Sequence, residues 1–72
     1  MSLEIAVPAM LFNRFKDEVM HTPFKADEPM LTRHLQRHPH IFEVCTFESD
    51  KSEDLREVRA ICARHHAKVL TI

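Results

Sequence analysis

Glycine is missing from all 72 residues of this chain, as are tryptophan and tyrosine. Average glycine usage is about 7%, so its absence excludes whole classes of site. Left-handed helix caps and backbone cradles for phosphate lose their usual residue. Every glycine-rich nucleotide-binding motif goes with them. Tight two-residue hairpins also lose their best signals, which predicts longer or helical connections. Without Trp and Tyr the strongest stacking side chains are gone, and five Phe remain.

Other scarcities narrow the field further. Cys45 and Cys62 are the only cysteines; this is no disulfide framework, and a reduced, cytoplasmic setting is expected. No apolar run approaches the roughly 20 residues of a membrane span. The start of the chain lacks the basic segment and long apolar stretch of a secretory signal, so no membrane association is expected. A net charge of −1 offers no bulk attraction to nucleic acid. The six histidines would carry that charge from −1 toward +5 in mild acid, so solubility or association should depend on pH.

What is present fits one small α/β domain over residues 1–72. A chain this short buries only about 60% of the surface its unfolded form exposes, which leaves a thin stability margin. Residues 3–7 alternate Leu3, Ile5 and Val7 with Glu4 and Ala6, the pattern of a strand with one buried face. Pro8 suits the first turn of a helix. The stretch AMLFNRFKDEVM then sets Leu11, Phe12, Phe15 and Val19 on one helical side. Pro23 and Pro29 bracket a break. A second helix is expected over 28–38, with Met30, Leu31 and Leu35 apolar and Thr32, Arg33, Gln36 and Arg37 polar. Residues 41–48 form a nearly continuous apolar run, as in a strand covered on both faces. Asp50 and Glu53 have capping-box spacing ahead of a helix over 52–66, where Leu55, Val58, Ile61, Cys62 and His65 trace one stripe. Residues 68–72 close the chain as a strand.

The expected order is therefore β-α-α-β-α-β, with a small three-stranded sheet. Strands 41–48 and 68–72 should lie parallel and side by side, joined by a right-handed crossover. Helices mainly on one face would leave the other uncovered, which favours a homo-oligomer or docking on a larger protein.

RHLQRHPH, residues 33–40, concentrates three histidines and two arginines. His34 and His38 at i, i+4 share a helix face, and Cys62 and His65 at i, i+3 share another. Sulfur and imidazole at such spacings can hold zinc, and these four residues are the candidate ligands. No CxxC pair accompanies them, and the two halves match no zinc-finger spacing. The plainer reading makes Cys62 a small buried hydrophobe and the histidines solvated helix-end groups; no bound metal or other cofactor is the expectation.

A catalytic reading fares worse. Cys45 sits within an apolar strand, and Glu48, Ser49, Asp50 and Ser52 are explained by helix capping. No full set of nucleophile, base and oxyanion donors assembles. Nucleic-acid binding is the sharper rival. Thr32, Arg33, Gln36 and Arg37 are residue types that contact bases and phosphates, but the connection before them is longer than a helix-turn-helix turn. The reading that remains is a non-enzymatic interaction or regulatory module, an adaptor or inhibitor of a larger protein. Arg33, Gln36, Arg37 and His40 are its candidate contact residues, together with the exposed sheet face or edge near strand 41–48. A regulator from a virus or mobile element, or an artificial sequence, would fit.

Overall fold

The computed structural model describes residues 1–22, 30–34 and 41–71. Strand β1 spans Ser2–Pro8, a single 3-10 turn covers Ala9–Leu11, and helix α1 spans Phe12–Met20. Strands β2 and β3 follow at Leu31–Arg33 and Phe42–Glu48, then helix α2 at Ser52–Arg64 and strand β4 at Lys68–Val69.

The strands form one four-stranded sheet in the order β2-β3-β1-β4. Every neighbouring pair is antiparallel. β1 and β2 therefore run parallel with β3 between them, and β3 and β4 run parallel with β1 between them. Two such split β-α-β units make the ferredoxin-like arrangement.

This corrects the expected three-stranded sheet and its parallel β-α-β unit. Strands β3 and β4 do share a direction, but they do not touch as partners: β1 pairs with both. The central strand β1 is the alternating segment at the start of the chain. Leu3, Ile5 and Val7 are buried on one side, and its seven residues pair with all seven of β3. The expected helix over 28–38 is also corrected. Residues 31–33 are the edge strand β2, where Leu31 pairs with Phe47 and is buried while Thr32 points outward. The remainder of that segment lies outside the described residues, apart from Met30 and His34.

Both helices cover the same sheet face. Phe12, Phe15 and Val19 of α1 and Val58, Ile61 and Cys62 of α2 join Leu3, Ile5, Val7, Leu31, Cys45 and Phe47 in one core. These are the i, i+3 and i, i+4 spacings of a helix meeting the period-2 spacing of strands. Burying each large side chain contributes about 1.5–3 kcal/mol. Among the described residues, helices cover the strand at 42–48 on one face only, against the expectation of two.

Helix α2 starts without a side-chain cap. Lys51, not Asp50, is the N-cap and makes no side-chain cap bond. Order comes from Asp54, which is buried and accepts a 2.7 Å hydrogen bond from Ser49 Oγ. Ser49 Oγ also accepts from the Lys51 N–H at 3.2 Å. At the other end the Ala67 N–H bonds back to the Cys62 carbonyl at 2.9 Å. That six-to-one closure needs a left-handed residue before Ala67, and His66 fills it at φ 55°.

Candidate functional site

Strand parity decides what is displayed on the sheet face that no described element covers, the open face. From β1 it shows Ser2, Glu4, Ala6 and Pro8; from β3, Glu48, Thr46, Val44 and Phe42, paired in that order. Lys68 of β4 lies beside Ala6. The Leu70 N–H bonds the Glu4 carbonyl at 2.7 Å, which continues the ladder and sets Leu70 beside Glu4. On the far edge Thr32 faces Thr46, and the His34 N–H bonds the Val44 carbonyl at 2.9 Å. The His34 Nε2 and Thr46 Oγ1 share a hydrogen bond at 2.6 Å.

Large apolar groups are left in water here. Phe42 is 46% exposed and Leu70 48%. Ala6 and Val44 between them are half-buried. At the Pro8 end of the sheet, Ile41 and Met10 are 81% and 95% exposed. They are neighbours because the Ala9 N–H bonds the Ile41 carbonyl at 2.7 Å. The charges of the face are Glu4, Glu48 and Lys68, and none of them forms an ion pair with another described residue.

The sequence candidates that fall among the described residues, Arg33, His34, Cys62 and His65, do not converge on one site. Arg33 lies on the helix-covered side of β2 and holds Glu43 with both fork nitrogens, Nε to Oε2 at 3.1 Å and Nη2 to Oε1 at 2.8 Å. Its guanidinium also stacks 5.2 Å from the centre of the Phe12 ring. That engagement is structural. A hollow of about 90 Å³ between Phe12, Asn13, Lys16, Leu31 and Arg33 is small beside the several hundred Å³ of ordinary ligand pockets. Gln36, Arg37, His38 and His40 lie outside the described residues.

Among the four candidate zinc ligands, His34 sits on the open face, whereas Cys62 and His65 belong to α2 and its C-cap on the other side of the sheet. No cluster of three or more potential ligands occurs among the described residues. Both thiols are buried. Burial pushes Cys45 up to about 12 and Cys62 up to about 11, so neither is a thiolate nucleophile near neutrality.

A polar cluster that sequence reading missed joins the ends of the helices. Glu18 accepts from Arg64 Nε at 2.9 Å, from Arg64 Nη2, and from His65 Nε2 at 2.8 Å. The Arg64 hydrogen bond, then that of His65, holds the Glu18 carboxyl below its usual value of 4.5. His65 also meets Phe15 edge-on, with centroids 6.2 Å apart at 86°. These partners are 46 and 47 residues apart, so no local spacing could announce them. The only signal was Glu18 following Phe15 by one helical step. The cluster clamps α1 to α2.

Among the described residues, no helix is long and apolar enough to cross a membrane. No known protein family, curated protein or solved structure matches the chain.

Proposed function

We propose that this protein is a non-enzymatic contact module, and that the open sheet face is the surface with which it binds another protein surface as adaptor, inhibitor or regulator. The observation that carries this reading is the pair Phe42 and Leu70, each about half exposed, flanking Ala6 and Val44 on a face that no described element covers. An exposed sheet row of this kind is costly to keep in water, and covering it recovers about 25 cal/mol per Å² of apolar area. The chemistry of the face favours protein over nucleic acid. Glu4 and Glu48 stand on it against one lysine, a poor match for phosphate, and Arg33 is engaged by Glu43.

Isotope-labelled protein in host lysate tests this. Amide signals of Ala6, Phe42, Val44 and Leu70 should broaden or shift while those of Asp17 and Ala60 on the helices stay fixed. Nuclease treatment should leave the effect in place, and Phe42→Glu should abolish it. Open-face signals unmoved both by lysate and by raising the protein's own concentration would end the contact reading. An effect erased by nuclease would replace it with nucleic-acid binding.

A further inference from the structure

We propose, resting on the contact reading above, that the occupant of the open face is a second copy of this chain, seated face to face about a two-fold axis running obliquely over Phe42, Ala6 and Leu70. The layout of the face is self-complementary about that line. Strands are about 4.8 Å apart, and same-face residues on one strand are about 6.7 Å apart. Pro8 pairs with Phe42 and Ala6 with both Val44 and Lys68; Leu70 adjoins Glu4. Phe42, Ala6 and Leu70 thus occupy successive strands at successive steps, and fall on one diagonal. The two most exposed apolar side chains of the face are its ends.

The residues beside the diagonal come in matched pairs. Lys68 lies on one side and Glu4 on the other, each about 4 Å from the line by these spacings. Pro8 and Val44 flank it in the same way, closer to Phe42. A two-fold rotation about the diagonal sets Lys68 over the partner copy's Glu4 and Glu4 over its Lys68. It also sets Pro8 against Val44 twice, and Phe42, Ala6 and Leu70 each against its own counterpart. An isologous interface requires this kind of reciprocity. Within each pair the offset along the line is about 3 Å, which long side chains span. Strands of the two copies cross at about 70°, near the orthogonal class of sheet packing. Neither Glu4 nor Lys68 has an ion pair with a described residue, so both charges are available to the partner.

The size of the face sets the strength. A sheet about 15 Å by 20 Å buries less than the roughly 1,200 Å² total of a standard interface, so the dimer is weak and concentration-dependent. Sedimentation equilibrium from about 10 μM to about 1 mM should show the mass rising from 8.5 kDa toward twice that value.

Charge reversal tests the pairing itself. Glu4→Lys and Lys68→Glu should each weaken association about tenfold or more, through two like-charge contacts per dimer. The double reversal should return it to within about threefold of the original. All three are surface changes, and circular dichroism checks their folding. Isotope-filtered contacts between the Lys68 side chain of a labelled copy and Glu4 of an unlabelled one give a readout free of mutation. A chain monomeric to about 1 mM, single reversals without effect, or a double reversal without rescue would each overturn self-pairing. A monomer whose open face still responds to lysate leaves the contact reading standing; a monomer unresponsive to both removes both.

Discussion

Phe42 and Phe47 stand on the same strand, five residues apart, and have opposite fates. Phe47 is fully buried under the helices, while Phe42 is 46% exposed on the side that no described element covers. An odd separation along a strand puts two side chains on opposite faces. The whole sheet repeats this division: Leu3, Ile5, Val7 and Cys45 build the core, and their even-numbered neighbours build the open face. Parity therefore separates what holds the fold together from what is offered for contact. A slip of one residue in register would exchange the two sets, so burial of one face also fixes the identity of the other.

The largest expected effect comes from breaking this contrast at the two phenylalanines. Phe47→Ala should cost about 3–5 kcal/mol, through lost burial and the cavity left behind. Stability of about 0.05–0.15 kcal/mol per residue gives a domain this size only about 4–10 kcal/mol in all, so the variant should be largely unfolded or close to it. Phe42→Ala should change stability by less than about 1 kcal/mol while weakening association. Urea titration followed by circular dichroism measures both. Equal losses at the two positions would show that the open face is not open.

The covered face can also be probed through its thiols. With Cys45 pushed up to about 12 and Cys62 up to about 11 by burial, both should resist alkylation at pH 8 until urea unfolds the chain. The linkage runs in one direction. A thiol whose value is raised in the folded state keeps its stabilising contribution below its ordinary value of 9.0, and loses it as pH rises through the folded value. Stability should therefore fall between about pH 9 and pH 12, less steeply in a Cys45→Ala, Cys62→Ala double variant. Rapid labelling in native buffer would mean that the core opens locally at the β3–α2 contact.

Elements with a full period in the sequence were legible, and pairings across the chain were not. Leu3, Ile5 and Val7 announced β1, and Phe12, Phe15 and Val19 announced α1, because burial follows the local repeat. Val58, Ile61 and Cys62 did the same for α2. Leu31–Arg33 spans only three residues, too few to tell a period of 2 from one of 3.6, and nearby Leu35 favoured the helical reading. The place of β1 between β3 and β4 was hidden for another reason. A crossover rule gives the direction of two strands joined by a helix, but it does not say whether a third enters between them. The uncovered face followed from helices sharing one side, yet the residues on it depended on the register. The sequence points to Arg33, Gln36, Arg37 and His40 and to the sheet face or edge near strand 41–48 as contact surfaces. The structure commits the Arg33 guanidinium to Glu43, and parity along β3 and along the ladder running on from β4 singles out Phe42 and Leu70 within the sheet face.

A smaller effect is expected at the clamp between the helices, which touches only the covered side. Glu18→Gln removes the charge that Arg64 and His65 share. The loss should be well below that of Phe47→Ala, since the pair with Arg64 is largely exposed. Its pH dependence has the opposite sign to that of the thiols. Glu18 is lowered in the folded state, so its contribution is present above its ordinary value of 4.5 and is lost as pH falls through the folded value. Wild type should exceed the variant in stability at pH 7, and the gap should shrink below pH 4.5. Denaturant melts at both pH values measure this, and an unchanged gap would detach Glu18 from the clamp. Association through the open face should be the same in both proteins.

The smallest effect concerns the junction where the chain passes from the covered side to the open one. His66 ends α2 at φ 55°, a region that costs a residue with a Cβ about 1–2 kcal/mol. The chain, with no glycine anywhere, bears that strain where most proteins would relieve it. His66→Gly removes the steric cost but gives the unfolded chain more freedom, worth about 0.5–1 kcal/mol against folding. The net expectation is a gain of about 0.5–1 kcal/mol, visible as a small rise in the urea midpoint. Because Lys68 and Leu70 follow within four residues, the same variant reports on coupling between the faces. A junction that only ends the helix predicts unchanged dimer affinity. A junction that must be stiff to aim Lys68 at the partner copy predicts weaker association despite the more stable fold, and the two measurements on one variant separate these outcomes.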